Sequence, residues 1–306
     1  MITRLIIVAV FGIHLASAAW SRGGTLQETE DLFASNRIET KSSIKIGFDL
    51  LYSLKFEEGR KQFIDWQTLH PSDPISDIAI AASYLFEEFY HQQVLTSEFF
   101  LDDRRFFGGI EGEPDKGRIH SFKEAYQRGR NLILRQLEAN PDDVDALFAM
   151  TLATGLDAYD KAFLEKDPRR SLSLMKESKS YAERLLELQP DRSDAFLAVG
   201  AVNYTLGVLP TLKRLFLWFT GTSGNKNLGM KQLRIAAEKG SYLRPFAKIF
   251  LALAALREKQ EDIAREQLSD LVAEYPDNHV FAEELARLTG RGGPGEKSGG
   301  SREVSD

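Results

Sequence analysis

The chain has 306 residues, 43% of them apolar and 27% charged, ordinary globular material with ample side chains for a core. Its formal charge of −6 argues against nucleic-acid binding, which depends on a concentrated basic surface. With no cysteine there is no disulfide, thiol nucleophile, thiolate metal site or lipid-modified N-terminal Cys, so stability must come from packing.

At the N-terminus, Arg4 precedes an apolar run from Leu5 to Leu15, and Ala16-Ser17-Ala18 supplies the small residues of a cleavage site. This predicts an export signal over residues 1–18, cleaved near Ala18, and a mature chain in the periplasm or cell envelope. The run falls short of the roughly 20 residues that span a bilayer, which disfavours an uncleaved anchor. Residues 19–40 form a polar lead-in.

Residues 41–289 then follow one helical pattern. Pro71, Pro141, Pro190 and Pro276 each close an amphipathic stretch. Twelve residues before these prolines stand Gly59, Gly129, Ser178 and Ala264, and eight before them Phe63, Ile133, Ala182 and Leu268. Small residues let two antiparallel helices approach closely, and a larger apolar side chain one turn later fills the next groove. Proline ends each helix, and the Asp or Ser that follows is expected to cap the next one.

A preceding helix in each unit carries a matching set: Ile46, Gly47 and Leu50; Ile80, Ala81 and Tyr84; Leu147, Met150, Thr151 and Thr154; Phe196, Val199, Gly200 and Asn203; Leu251, Ala252 and Ala255. From small residue to small residue, Gly47 to Gly59 and Ala252 to Ala264 are twelve apart. Ala81 to Gly129 is 48, Thr151 to Ser178 is 27 and Gly200 to Gly229 is 29, so the three middle pairs carry 36, 15 and 17 extra residues. The fourth pair has no closing proline, and Lys239-Gly240-Ser241 is expected to provide a glycine stop. Val280 to Leu288 reads as a closing helix, and residues 290–306 as a disordered tail with nothing to bury.

Insertions at one position of a repeat emerge from the same edge, so these three are expected to cluster in space. Phe99, Phe100, Phe106 and Phe107 in the first, and Leu215 to Phe219 in the third, argue for order. In the third, Lys213 and Arg214 beside Leu215, Trp218 and Phe219 have the character of a segment that lies on a membrane, too short to span it. The simpler reading starts an extra helix at Pro210 and packs it on the flank of the repeats. Gly221 to Lys226 lacks phosphate-loop spacing and follows no strand; a turn capped by Ser223 or Asn225 before the helix at Leu228 accounts for it.

The first insertion also carries Asp102-Asp103-Arg104-Arg105, Glu111, Glu113, Asp115 and His120, read as a charged surface hairpin. His70, His91, His120 and His279 lack metal-ligand spacing, and no Ser-His-Asp order or carboxylate pair stands out. No catalytic residue, metal or cofactor is expected. Asn203-Tyr204-Thr205 is a glycosylation sequon, but it falls inside a predicted helix.

These offsets resemble the tetratricopeptide repeat (TPR) superfamily over about residues 43–288. The resemblance implies an all-α fold: a TPR-like, right-handed α-solenoid of about five helix pairs plus a closing helix, with insertions inside the three middle pairs. Asn203, Tyr204, Gly207, Leu209 and Pro210, followed by Gly221 to Lys226, Leu228-Gly229 and Gln232-Leu233, are similar to exported bacterial TPR proteins of unassigned function. The same segment, residues 203–233, is similar to the eukaryotic family containing tetratricopeptide repeat protein 39 and the inclusion body clearance protein, whose members lack an export signal. A helical scaffold without known catalysis is what this implies.

The expectation is a non-catalytic scaffold binding a protein or peptide through a concave groove and the inserted edge. Tyr52, Tyr84, Asn203, Tyr204 and Arg257 are the candidates on the groove wall, and Leu215, Trp218 and Phe219 on the insertion. The groove candidates have a second reading, as satisfied contacts between helices. The alternatives in function are a peripheral membrane assembly factor using residues 206–220, and a small-ligand protein or enzyme with its site under the insertions.

Overall fold

The computed structural model describes residues 43–208 and 224–290, and every regular element among them is helical. The chain divides into Met1–Ile44 and Lys45–Asp306, and the helical packing belongs to the second unit. The export segment, the lead-in, the tail from residue 291 and the arm with Leu215, Trp218 and Phe219 lie outside the described residues.

In chain order the elements are α1 (residues 43–52), α2 (Phe56–Leu69), α3 (Pro74–His91), α4 (Ser97–Leu101), α5 (Asp103–Gly108), α6 (Lys116–Ala139) and α7 (Val144–Tyr159). A π-helical turn, Asp160–Leu164, continues α7; then come α8 (Pro168–Leu188), α9 (Ala195–Val208), α10 (Lys226–Lys239), α11 (Arg244–Arg257), α12 (Glu261–Glu274) and α13 (His279–Leu288). Successive long helices pack on each other: α3 with α6, α7 with α8, α9 with α10, α11 with α12, and α13 on α12.

The small residues sit where these helices touch. A Cβ on Gly59 would stand 2.8 Å from the Gly47 carbonyl oxygen, one on Gly129 2.7 Å from Ile78 Cδ1, and one on Gly229 2.5 Å from Tyr204 N. Ser178 Oγ donates to the Thr151 carbonyl at 2.8 Å, and Ala252 and Ala264 share a cluster with Ala255 and Leu268. Phe63 and Ile133, one turn beyond the glycines, are fully buried.

The proline turns differ by one residue from expectation. Asp73, Asp143 and Asn278 each donate their N–H to the carbonyl of the residue before proline, at 3.0, 3.1 and 3.0 Å. Proline and its successor are thus the corner of a β-turn, and the cap is the second residue after proline. Asp73 Oδ1 accepts from Ile75 N, Asp143 Oδ1 from Ala146 N, and Asn278 Oδ1 from Val280 N.

α10 does stop at Gly240, whose N–H donates to the Ala236 carbonyl, but through an extended residue with φ at −62° rather than a left-handed one. Asp194 organises the turn that follows: its Oδ1 accepts N–H bonds from Ser241, Tyr242 and Leu243, just ahead of α11, at 2.9, 3.2 and 2.9 Å. The left-handed stops are at the other edge, at Leu54, Gln93, Lys166 and Lys259, with φ of 61°, 55°, 55° and 60°. After each, the next N–H reaches back to Leu50, Phe89, Lys161 or Ala255, the bond that closes a helix over a left-handed residue.

The first and last pairs also meet. Tyr52 OH donates to the Tyr242 carbonyl, Tyr275 OH to Asp49, and Asn278 Nδ2 to the Tyr52 carbonyl, at 3.1, 3.0 and 2.7 Å. Tyr52 packs against the cluster of Leu271, Tyr275 and Phe281.

Candidate functional site

Two of the three insertions converge on Phe163. The first is not a charged hairpin but the short helices α4 and α5, joined to lengthened ends of α3 and α6. Asp102 caps α5 and Asp115 caps α6, so these acids serve helix starts. Phe99 is buried, its ring 5.3 Å from that of Phe163; Phe100 and Phe106 stand 6.0 and 5.6 Å from the same ring. Phe89 of α3 and Tyr159 of α7 complete the cluster at 5.5 and 5.9 Å. Ile110 N–H donates to the Phe163 carbonyl at 3.0 Å, and Gly109, at φ 69°, passes so close to that oxygen that a Cβ would stand 2.6 Å away. A left-handed residue without a side chain is what this crossing needs.

Beside the cluster, the π-turn holds one ammonium among three carboxylates. Lys161 Nζ lies 2.8 Å from Asp160, 2.7 Å from Glu165 and 3.5 Å from Asp157, and Tyr126 OH donates to Asp157. These partners keep Lys161 protonated and hold the Glu165 carboxyl below its ordinary range. Asp160 behaves oppositely: it is 2% exposed, its Oδ1 has no partner, and burial pushes its carboxyl up despite the ion pair. No group of His, Cys, Asp or Glu suited to a metal ion occurs among the described residues.

Three of the groove candidates gather at the base of the third insertion. Asn203 Nδ2 donates to Gln232 Oε1 at 2.7 Å, and Tyr204 OH to the Ala254 carbonyl at 3.2 Å. Burial, with the Glu258 charge adding to it and Arg257 opposing it, pushes the Tyr204 phenol up to about 12. Lys226 pairs with Glu258 at 2.5 Å, and Gly207 packs backbone to backbone on Gly224 and Lys226. The insertion therefore leaves and rejoins the pair at adjacent points. Asn225 Oδ1 accepts from Leu228 N at 3.0 Å, so the helix start after the glycine-rich turn has its own cap.

Tyr52 and Tyr84 lie elsewhere. Tyr52 is held in the contact between the first and last pairs. Tyr84 lies under the Arg60 guanidinium, 3.9 Å from ring centroid to Cζ. Arg60 begins a buried network that residue-type patterns did not reveal: it pairs with Glu87 at 3.0 Å, and Arg118 pairs with Glu88, which also accepts from Gln92. Glu87 and Glu88 sit in an apolar helix four and three residues from its end, a signal of burial with partners that residue types alone do not spell out. First-helix faces also meet directly, as Phe246 of α11 contacts Phe86 and Tyr159 at 5.6 and 6.2 Å.

No family model matches the chain, and no curated protein matches it. No helix of the described residues is long and apolar enough to cross a membrane.

Proposed function

We propose that this protein is a TPR-like right-handed solenoid that serves as a non-catalytic interaction scaffold of the cell envelope, binding a protein or peptide partner through its inserted edge. The small residues at the pair contacts and the repeated left-handed stops support TPR-like pairs. The N-terminal pattern of Arg4, the Leu5–Leu15 run and Ala16-Ser17-Ala18 supports export.

One observation carries the choice of surface. The inward candidates Tyr52, Asn203 and Tyr204 are engaged by other helices, while two insertions come together on one edge around Phe163. The third insertion, with Leu215, Trp218 and Phe219, springs from the same position in its pair.

Co-purification from envelope extract tests this. The mature chain retains a protein partner, Trp218→Asp weakens its recovery by about 1–3 kcal/mol of lost aromatic burial, and pure chain does not float with anionic liposomes. Flotation abolished by the same change would transfer the function to a membrane foot. Recovery untouched by Trp218→Asp would remove the third insertion from the binding edge.

A further inference from the structure

Resting on that scaffold reading, we propose that residues 95–110, a strap carrying α4 and α5, occupy the protein's own docking surface, and that the partner displaces them with a short helix bearing paired phenylalanines.

The strap belongs to neither long helix of its pair. It leaves the end of α3 after the left-handed Gln93 and reaches α11 and α13: α4 contacts α11, and Ser97 Oγ is hydrogen-bonded to Glu284 of α13. Ile110 N–H also donates outward, to the Phe163 carbonyl, while other polar bonds stay within the strap. Thr96 Oγ1 accepts from Phe99 N, Asp102 Oδ1 from Arg104 N at 2.8 Å, and Arg105 pairs with Glu98 at 2.7 Å. Apart from the Ser97 and Ile110 bonds, what it offers the rest of the chain is aromatic: Phe99, Phe100 and Phe106, set against Phe163. The receiving wall is assembled from separate elements, Phe89 on α3 and Tyr159 and Phe163 at the end of α7. A short helix with its own caps, docking aromatic rings into a trough built by other helices, is the form in which helical peptides are recognised.

The strap is tethered at both ends, so it competes with any free ligand at an effective concentration on the order of millimolar. If the isolated segment binds with a Kd of about 10 μM, the tethered form stays closed by roughly 100 to 1. An external partner prevails by adding a second contact elsewhere on the chain.

The test uses a fluorescent synthetic peptide of residues 95–110 and the mature chain in which residues 96–109 are replaced by a Gly/Ser segment of equal length. The replaced chain is expected to bind the peptide in the micromolar range, and the intact chain about 100-fold more weakly. A helical, cooperatively melting replaced chain that does not bind, or equal binding to both chains, overturns the proposal. If the replaced chain does not fold, F99A/F100A with the strap retained takes its place, with peptide binding expected and its absence equally fatal. Since no envelope partner enters this assay, peptide binding without partner capture would sink the scaffold reading alone, and partner capture without peptide binding the strap alone.

Discussion

At Asp160 burial and ion pairing act in opposite directions, and burial wins: the carboxyl is pushed above its ordinary range although Lys161 Nζ stands 2.8 Å away. That direction already includes the attraction of Lys161, so the charged form is a net burden on the fold. A carboxyl whose folded pKa lies above its unfolded value favours folding fully only below the unfolded value of about 4, and that contribution is lost as pH rises through the folded pKa. Asp160→Asn is therefore expected to gain stability relative to wild type between acid and neutral pH, read as the difference in urea midpoints at pH 4 and pH 7. A difference that shrinks toward pH 7 would contradict it. Lys259 presents a different local cost, a left-handed backbone under a side chain. Lys259→Gly should stabilise by about 1 kcal/mol in chemical denaturation. The sequence concealed both sites, because Lys259 looks like any exposed turn residue and the π-turn that buries Asp160 has no composition of its own.

At the scale of the element, the helix pairs were legible because close approach of two backbones is a constraint written into single positions. Gly59, Gly129 and Gly229 each stand where a Cβ has no room. Gly229→Val should cost about 1–3 kcal/mol or more, since the obstruction is the backbone of Tyr204 and cannot rotate away. A melting temperature within a degree of wild type would show that the pair tolerates separation. The caps were displaced by one residue because the turn itself consumes proline and its successor; the stop at Gly240 was legible, whereas the hold of Asp194 on the turn after it was not, because Asp194 is distant in sequence. Asp194→Ala leaves three N–H groups without their acceptor and is expected to cost about 2–4 kcal/mol. Among the insertions, the aromatic residues foretold order, but not that Phe99 and Phe163 would meet, since that depends on contacts 64 residues apart.

At the scale of the whole second unit, tyrosines join elements distant in the chain. Burial raises the phenols of Tyr52, Tyr126, Tyr159, Tyr204, Tyr242 and Tyr275. Their contribution is complete below the unfolded value near pH 10 and falls as pH rises beyond it. The urea midpoint should hold from pH 8 to pH 9.5 and fall steeply by pH 11.5, less steeply in Tyr275→Phe, which has one phenol fewer to ionise. The same tyrosines explain why the groove was the harder feature to read: a Tyr on a first helix has the same pattern whether it awaits a ligand or bonds to a neighbour. The claim that the inserted edge receives a protein partner is tested most directly by site-specific photo-crosslinking in intact cells. With the photoreactive residue at Arg169 or Asn227, both exposed on that edge, one discrete adduct is expected, and none at Leu69 or Glu187, exposed at the proline turns. Adducts confined to Leu69 and Glu187, or none at any of the four positions, would contradict it.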